Sequence, residues 1–454
     1  MQNLVEKQRQ FFLTHTTREV RYRREALRKL RSAILKWEPK ICAALESDLG
    51  KCAAETYMTE IGMVLAGLSD ALSHLRKWSK PRSVMAPLAQ FPSRCRVVPE
   101  PYGVSLIISP WNYPVLLCLD PLVAALAAGN CCVVKPSSMS PATSEVLAEM
   151  LGSIFPPAYV SVVLGGRESI GALLEQKFDY IFFTGSPKVG HIVMEAASRN
   201  LTPVTLELGG KSPCIVDETA NVRVAARRIA FGKILNAGQT CVAPDYLMIH
   251  SSRKEEFVTE YRAAVQEMLG DEPLKNSEFT RIINPRHFER LCGLMRDARP
   301  VIGGGSNVDS LRIEPTLLDG ITPNSAAMQE EIFGPILPMM TWEKWSDVED
   351  FVLSRPRPLA SYLFTTDSVA EKRFINNLSF GGGCVNDTII HLAVHGLPFG
   401  GVGDSGMGSY HGKAGFDTFT HYKSVLTKGN WLDLPFRYHP YSKFKSAILR
   451  LFLR

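Results

Sequence analysis

One of ten cysteines, Cys241, follows the polar turn Asn236-Ala237-Gly238-Gln239-Thr240. Glu207 lies thirty-four positions earlier (241 − 207), in Glu207-Leu208-Gly209-Gly210-Lys211. Further upstream comes Asn112, in Ser109-Pro110-Trp111-Asn112-Tyr113-Pro114. These residue types are three parts of an acyl-transfer machine. A thiolate attacks a carbonyl, a carboxylate activates water, and an amide N–H stabilises an oxyanion. Each also has a plainer use. Free cysteines are commonly small buried hydrophobes. A carboxylate before two glycines can satisfy backbone donors of the turn, and asparagine is a common turn residue.

In this order the three segments resemble the NAD(P)-dependent aldehyde dehydrogenase superfamily, over nearly the whole chain from about Arg18 to about Leu426. The class 3 and fatty aldehyde dehydrogenase branch matches best. Cys241-Val242-Ala243-Pro244-Asp245-Tyr246, Leu397-Pro398-Phe399-Gly400-Gly401-Val402-Gly403 and Ser405-Gly406-Met407-Gly408-Ser409-Tyr410-His411-Gly412-Lys413 look like that branch. The resemblance implies that Cys241 forms a thiohemiacetal and then a thioester. Glu207 would activate the water that hydrolyses the thioester, and Asn112 would share the oxyanion with the Cys241 N–H. The thiol pKa is expected to be lowered by backbone N–H groups or by the cofactor's positive ring. Burial is expected to raise Glu207 toward neutrality.

The cofactor implied is NAD or NADP. Phe183-Thr184-Gly185-Ser186-Pro187-Lys188-Val189-Gly190 lacks the usual dinucleotide glycine fingerprint. A strand, a glycine turn and a helix start can still receive a pyrophosphate on helix N-terminal N–H groups. By itself such a turn is often just packing. In the family, Thr184, Gly185, Ser186 and Gly190 form the cofactor turn. Lys135 resembles the lysine at the adenosine ribose, and Glu331 and Phe333 the residues at the nicotinamide. Many relatives carry glutamate three residues after the lysine, where this chain has Ser138. Serine can donate to a 2′-phosphate that a carboxylate would repel, so NADP is expected to be accepted as well as NAD.

The elements that must hold these residues alternate. Val104–Ile108, 131–135, 161–164, 180–183 and 204–206 read as buried strands, separated by helical stretches at 115–128, 141–154, 169–176 and 187–200. That pattern predicts an α/β fold with a doubly wound parallel sheet, which binds ligands beyond the carboxyl ends of its strands. Ser109, Lys135 and Thr184 fall at such ends. We assign 1–80 and 103–208 to an NAD(P)-binding domain and 209–413 to a second α/β catalytic domain. Residues 81–102 and 414–430 form a small oligomerisation arm, implying a homodimer, and 431–454 form a basic amphipathic C-terminal tail.

Bulk properties agree with an ordinary globular enzyme: 45% hydrophobic, 21% charged, net charge +6. Five of those charges, Arg437, Lys443, Lys445, Arg450 and Arg454, crowd the acid-free last 18 residues, leaving +1 (6 − 5) for the rest. That argues against a nucleic-acid partner. The cysteines lack metal-type spacing, so no metal is expected, and a working thiol needs a reducing compartment. The start Met1-Gln2-Asn3-Leu4-Val5 lacks a signal-peptide apolar region. We expect a cytoplasmic protein, with peripheral contact to the cytosolic face of a membrane as one use of the tail. There Phe444, Ile448, Leu451 and Phe452 share a helical face, which suits a packing helix, a lid over the substrate funnel or an interfacial anchor.

The substrate expected is a medium- or long-chain aliphatic aldehyde, with an aromatic, coniferyl-type aldehyde as the alternative. A non-catalytic protein of the same fold would be expected to lose Cys241 or Glu207. A coenzyme A-dependent acyl-transferring enzyme would have its thioester wasted by Glu207. Tyr57, Tyr113, Phe231 and Ile390 are candidates for shaping the pocket.

Overall fold

The computed structural model describes residues 1–453. Its first sheet has six strands in the order Gly406–Met407, Val204–Glu207, Tyr180–Thr184, Val104–Ile108, Cys131–Lys135, Val160–Val162. Five run parallel, and Gly406–Met407 closes one edge antiparallel to Val204–Glu207. Strands covered by helices on both faces must be apolar along their whole length. Val104–Ile108, Cys131–Lys135 and Tyr180–Thr184 are indeed buried at every position. Each fully buried Leu, Ile or Phe contributes ~1.5–3 kcal/mol relative to an exposed one. The helices Leu116–Ala128, Pro141–Ile154, Arg167–Leu174 and Pro187–Ser198 make the crossovers. Gly129 ends the first of them at φ +100°, a left-handed stop open to glycine.

Register across this sheet aligns the site. Thr184 pairs with Glu207, Ile108 with Phe183, and Ile108 with Lys135. The carboxyl ends of four neighbouring strands therefore lie side by side, Glu207 with Thr184 and, one residue back, Ile108 with Lys135. Glu207 is the last strand residue rather than the first residue beyond it.

The second sheet has seven strands, Arg299–Ile302, Thr316–Asp319, Ile336–Trp342, Tyr246–His250, Pro213–Val216, Ala360–Phe364 and Gly382–Val385. It is parallel except for its first pair. A third sheet of three antiparallel strands, Arg82–Val84, Ser93–Pro101 and Thr420–Lys428, stands apart. There Ser93–Pro101 and Thr420–Lys428 pair over their full length, from Thr420 with Pro101 to Lys428 with Ser93. Residues 421–427 are all exposed.

Three features depart from the sequence reading. Gln2–Leu13 is a helix whose Gln8 side chain is buried and donates to the carbonyls of Cys132 (2.8 Å) and Pro157 (3.1 Å). Arg9 pairs with Asp179 at 3.0 Å. Val5, Phe11 and Phe12 pack on the core beside these polar contacts, so the docking is mixed and long-range. Gly412–Thr418 is a helix packed on Leu116–Ala128, and only from Thr420 does the chain join the third sheet. Gly406–Met407, from the second half of the chain, completes the first sheet. At the C-terminus Lys443–Phe452 is a helix with no buried residue; Arg454, counted in the basic tail, lies outside the described residues.

Candidate active site

Cys241 sits between two cavities and lines both. One, of about 180 Å³, is apolar. Tyr113, Leu117, Phe231, Ile390 and Phe399 are among its walls. Of the four pocket-shaping candidates only Tyr57 lies elsewhere, with its side chain largely exposed. The other cavity, of about 360 Å³, is the more polar of the two and joins Asn112, Thr184, Gly185, Ser186, Glu207 and Glu331 to the thiol. Residues scattered over more than two hundred positions of chain thus converge on one sulfur.

The cysteine loop is strained locally. Asn236 and Ala237 hold φ of 52° and 50°, left-handed values that β-carbon-bearing residues rarely adopt. Such strain, ~1–3 kcal/mol per residue, survives only where the surroundings enforce it. Here the Asn236 amide donates to the carbonyls of Asn112 (2.8 Å) and Gln239 (3.0 Å), and the Gln239 side chain spans Asn236 and Arg281. Gly238 follows at φ +68°, and a β-carbon there would meet the Gly334 carbonyl oxygen at 2.2 Å. This glycine lets the cysteine loop touch the loop that carries Glu331 and Phe333.

Asn112 is buried, and one N–H of its amide is bound to the Gln239 carbonyl at 3.1 Å. An amide nitrogen has two donors, so the second stays available to the cavity. Its neighbour Tyr113 hydrogen-bonds Thr240 at 2.6 Å, joining this turn to the residue before the cysteine.

Glu207 is 2% exposed, and both of its carboxylate oxygens lack a partner among the described residues. Burial alone pushes its pKa well above the usual carboxylate range. Glu331 is raised to about 8, first by burial and then by the Asp245 charge. The Cys241 thiol is pushed up, not down: to about 12, by burial first and then by the Glu331 and Glu207 carboxylates. Backbone N–H groups of Cys241 and Val242 pull the other way, but more weakly. The backbone N–H groups therefore do not by themselves lower the thiol as expected from the sequence, because without the cofactor's positive ring desolvation outweighs two N–H dipoles.

The polar cavity fits a nicotinamide dinucleotide. Thr184 Oγ1 and the Glu207 carboxylate, both on its wall, are buried polar atoms without a partner among the described residues. A β-carbon at Gly209 would lie 2.2 Å from Glu331 Oε2, so glycine keeps this wall open. Ser186 is the residue before the helix Pro187–Ser198, with proline at its first position, and Thr184, Gly185 and Ser186 bring that helix start to the cavity wall. Gly190 packs under Leu208 one turn further on. Lys135 is brought to the strand end but not to the cavity wall; its Nζ donates to the Pro136 carbonyl at 2.7 Å. Ser138 is exposed beside Gly166.

Sequence reasoning missed an aromatic corner. Trp111 lies 5.5 Å from Phe333, edge to face, and 5.5 Å from His287. Phe333 reaches it from a left-handed backbone, φ 52°. The helix start Asn284-Pro285 could have flagged His287 as the third residue of a helix, because Asn284 accepts from the His287 N–H at 3.0 Å. Its approach to Trp111 is tertiary. Asp245 was also passed over. It pairs with Lys211 and accepts the Ile332 N–H at 2.8 Å, fixing the Glu331–Phe333 loop.

The family model described as "Aldehyde dehydrogenase family" matches residues 1–425. The 4,4'-diaponeurosporen-aldehyde dehydrogenase of Staphylococcus aureus (strain NCTC 8325 / PS 47) is 48% identical over 450 residues, covering 98% of each chain. The aldehyde dehydrogenase family 3 member A2 of Rattus norvegicus is 42% identical, covering 100% of this chain and 94% of the relative. Among solved structures, the substrate-bound state of Staphylococcus aureus AldH superposes with a TM-score of 0.98 at 47% identity, covering 100% of this chain and 99% of that one.

Proposed function

Since this chain belongs to the aldehyde dehydrogenase family and oxidises an aldehyde to the acid with NAD or NADP, we propose that its substrate is a medium- or long-chain aliphatic aldehyde and that Cys241, Glu207 and Asn112 carry the reaction. The observation that carries this reading is the position of Cys241, one side on an apolar cavity and the other on the polar groove. An apolar tail lies among Leu117, Phe231 and Ile390, while its carbonyl carbon meets the sulfur. When bound, NAD or NADP supplies the two-electron acceptor that oxidation requires, and Thr184, Gly185, Ser186, Glu331 and Phe333 hold it. The relative named for a diaponeurosporen-aldehyde supports a large apolar aldehyde.

Cys241, after giving up its S–H proton to water, attacks the aldehyde carbon, and the carbonyl oxygen takes up the negative charge beside the Asn112 amide and the Cys241 N–H. Oxidation of this adduct leaves a thioester on the cysteine. Glu207, a carboxyl group with neither oxygen committed, takes a proton from the water that cleaves the thioester and frees the acid and the thiol. Apolar walls exclude water from the adduct until then, which strengthens every polar contact within the site.

Two further assignments belong to the same proposal. The strand Thr420–Lys428 has one edge unpaired and seven exposed residues, a template for pairing with a second copy; the chain acts as a homodimer through it. No helix among the described residues is long and apolar enough to cross a membrane. The helix Lys443–Phe452 exposes Phe444, Leu451 and Phe452 beside Lys443, Lys445 and Arg450. It lies on an anionic membrane surface facing the cytoplasm, where long-chain aldehydes partition.

A saturated aldehyde series from short to long chain, run with NAD and with NADP, tests the substrate reading. Catalytic efficiency should rise with chain length. A flat or aromatic-favouring profile would remove the aliphatic assignment while leaving the chemistry.

A further inference from the structure

Behind the site lies a polar network that the reaction does not consume. The helix Ala53–Thr56 continues through the wide π-helical turn Tyr57–Ile61 into the helix Gly62–Trp78. Such turns are rare and occur frequently at functional sites. One face of this segment, Met58, Thr59 and Met63, lines the apolar cavity. Its two glutamates, Glu55 and Glu60, turn to the two loops that carry the oxyanion donors.

Glu60 and Lys51 are both fully buried and pair at 2.7 Å. The other oxygen of Glu60 accepts the N–H groups of Val115 (2.7 Å) and Leu116 (3.3 Å). Lys51 also reaches the Asn112 carbonyl at 3.5 Å and lies 4.3 Å from the centre of the Tyr113 ring. This pair therefore grips the Asn112–Leu116 turn at both ends. Glu55 accepts the Asn236 N–H at 2.8 Å, at the first left-handed residue of the cysteine loop, with Thr280 3.4 Å away. The Asn236 amide closes the circuit on the Asn112 carbonyl at 2.8 Å. Burying a lysine and a glutamate costs several kcal/mol of desolvation per ion, repaid only with good geometry. An apolar pair would fill the same volume but could not fix two N–H groups and a carbonyl.

We propose that Lys51, Glu60 and Glu55 form a positioning clamp for the oxyanion hole, Lys51–Glu60 setting the Asn112 amide and Glu55 setting the loop of the Cys241 N–H. The clamp rests on the reading of Asn112 and the Cys241 N–H as oxyanion donors. It touches neither aldehyde nor cofactor and acts on rate through donor placement, where an error of 1 Å costs up to ~100-fold.

The test is a mutant cycle read as the single-turnover rate of reduced-cofactor formation at saturating aldehyde and NAD. The double variant Lys51→Met/Glu60→Leu removes the pair without leaving a lone buried charge. It should lose tenfold or more in the wild-type background and less than twofold in Asn112→Ala, because the donor it positions is already gone. Aldehyde KM and the NAD dissociation constant should change far less than the rate. Glu55→Leu should lose a similar factor, while Glu55→Gln, whose amide oxygen still accepts the Asn236 N–H, should keep most of the rate. If the double variant fails to fold, the comparison of Glu55→Leu with Glu55→Gln decides the matter. Equal losses in both backgrounds, unchanged rates, or no rescue by glutamine overturn the clamp. A slow Asn112→Ala enzyme with such results leaves the oxyanion reading standing; a full-rate Asn112→Ala enzyme removes both.

Discussion

In the cofactor-free protein the Cys241 thiol should be a poor nucleophile at neutral pH. Burial, reinforced by Glu331 and Glu207, moves its pKa from 9.0 to about 12. At pH 8 the thiolate fraction is then roughly one in ten thousand, against about one in ten for an ordinary thiol. The thousandfold deficit is partly offset, because a more basic thiolate is intrinsically more reactive, with a Brønsted slope of about 0.4–0.5. The net expectation is alkylation by iodoacetamide roughly fortyfold slower than that of a free cysteine peptide. The rate, followed by mass spectrometry of the Cys241 peptide, should keep climbing from pH 7 to 10 without levelling, at about tenfold per unit except for a shallower stretch where Glu331 ionises. Glu331→Gln adds a signed check. Glu331 titrates at about 8, raised by burial and the Asp245 charge, so its charge is absent at low pH and present above. Wild type and Glu331→Gln should coincide at pH 6.5 and diverge above pH 8, with the variant reacting faster. A rate plateau between pH 6 and 8 would mean that the thiolate is already formed, and would refute the dominance of desolvation at this sulfur.

Asn112→Ala should keep the fold and lose ~10²–10³ in turnover, the usual effect of one oxyanion donor, checked by steady-state kinetics alongside thermal unfolding. Glu207→Gln should keep a stoichiometric burst of reduced cofactor and lose steady turnover, because only thioester hydrolysis needs the base; loss of the burst as well would count against that role. Ser138→Glu should lower kcat/KM for NADP at least tenfold and spare NAD, through repulsion of the 2′-phosphate. Deletion of 431–454 should weaken binding to anionic vesicles in a sedimentation assay and flatten the chain-length preference; no change in either would remove the membrane role of the tail.

Local chemistry made much of this molecule legible. Apolar runs such as Val104–Ile108 and Tyr180–Thr184 announced a parallel sheet because both of their faces are covered. Glycine turns and strand ends marked where the thiol, carboxylate and amide would stand. Distance in sequence hid the rest. The Thr184–Glu207 pairing is a register, and the two-residue edge strand Gly406–Met407 comes from far along the chain. The Trp111–Phe333–His287 corner depends on one left-handed residue. The rise of the thiol pKa in the cofactor-free protein was not legible, because dipoles can be guessed from a loop, whereas desolvation belongs to the whole fold.

The most misleading stretch is Lys51 to Glu60. As sequence, Lys51-Cys52-Ala53-Ala54-Glu55-Thr56-Tyr57-Met58-Thr59-Glu60 reads as an ordinary solvated helix start, with charges where water would be expected. In the fold Lys51 and Glu60 are fully buried, and the apolar Met58 is half exposed. For Glu60 the inversion goes with the wide turn at Tyr57–Ile61, whereas Lys51 lies before the helix and reaches Glu60 from outside it. An extra residue in the turn rotates the downstream helix by about 100°, since an α-helix advances 3.6 residues per turn. A regular helical wheel drawn through this segment would therefore misplace Glu60 relative to Glu55. Both carboxylates face inward only because the turn is irregular, and with them the Asn112 and Asn236 loops are held from one element. The feature that defeats periodicity is thus the one that brings the two halves of the site into register.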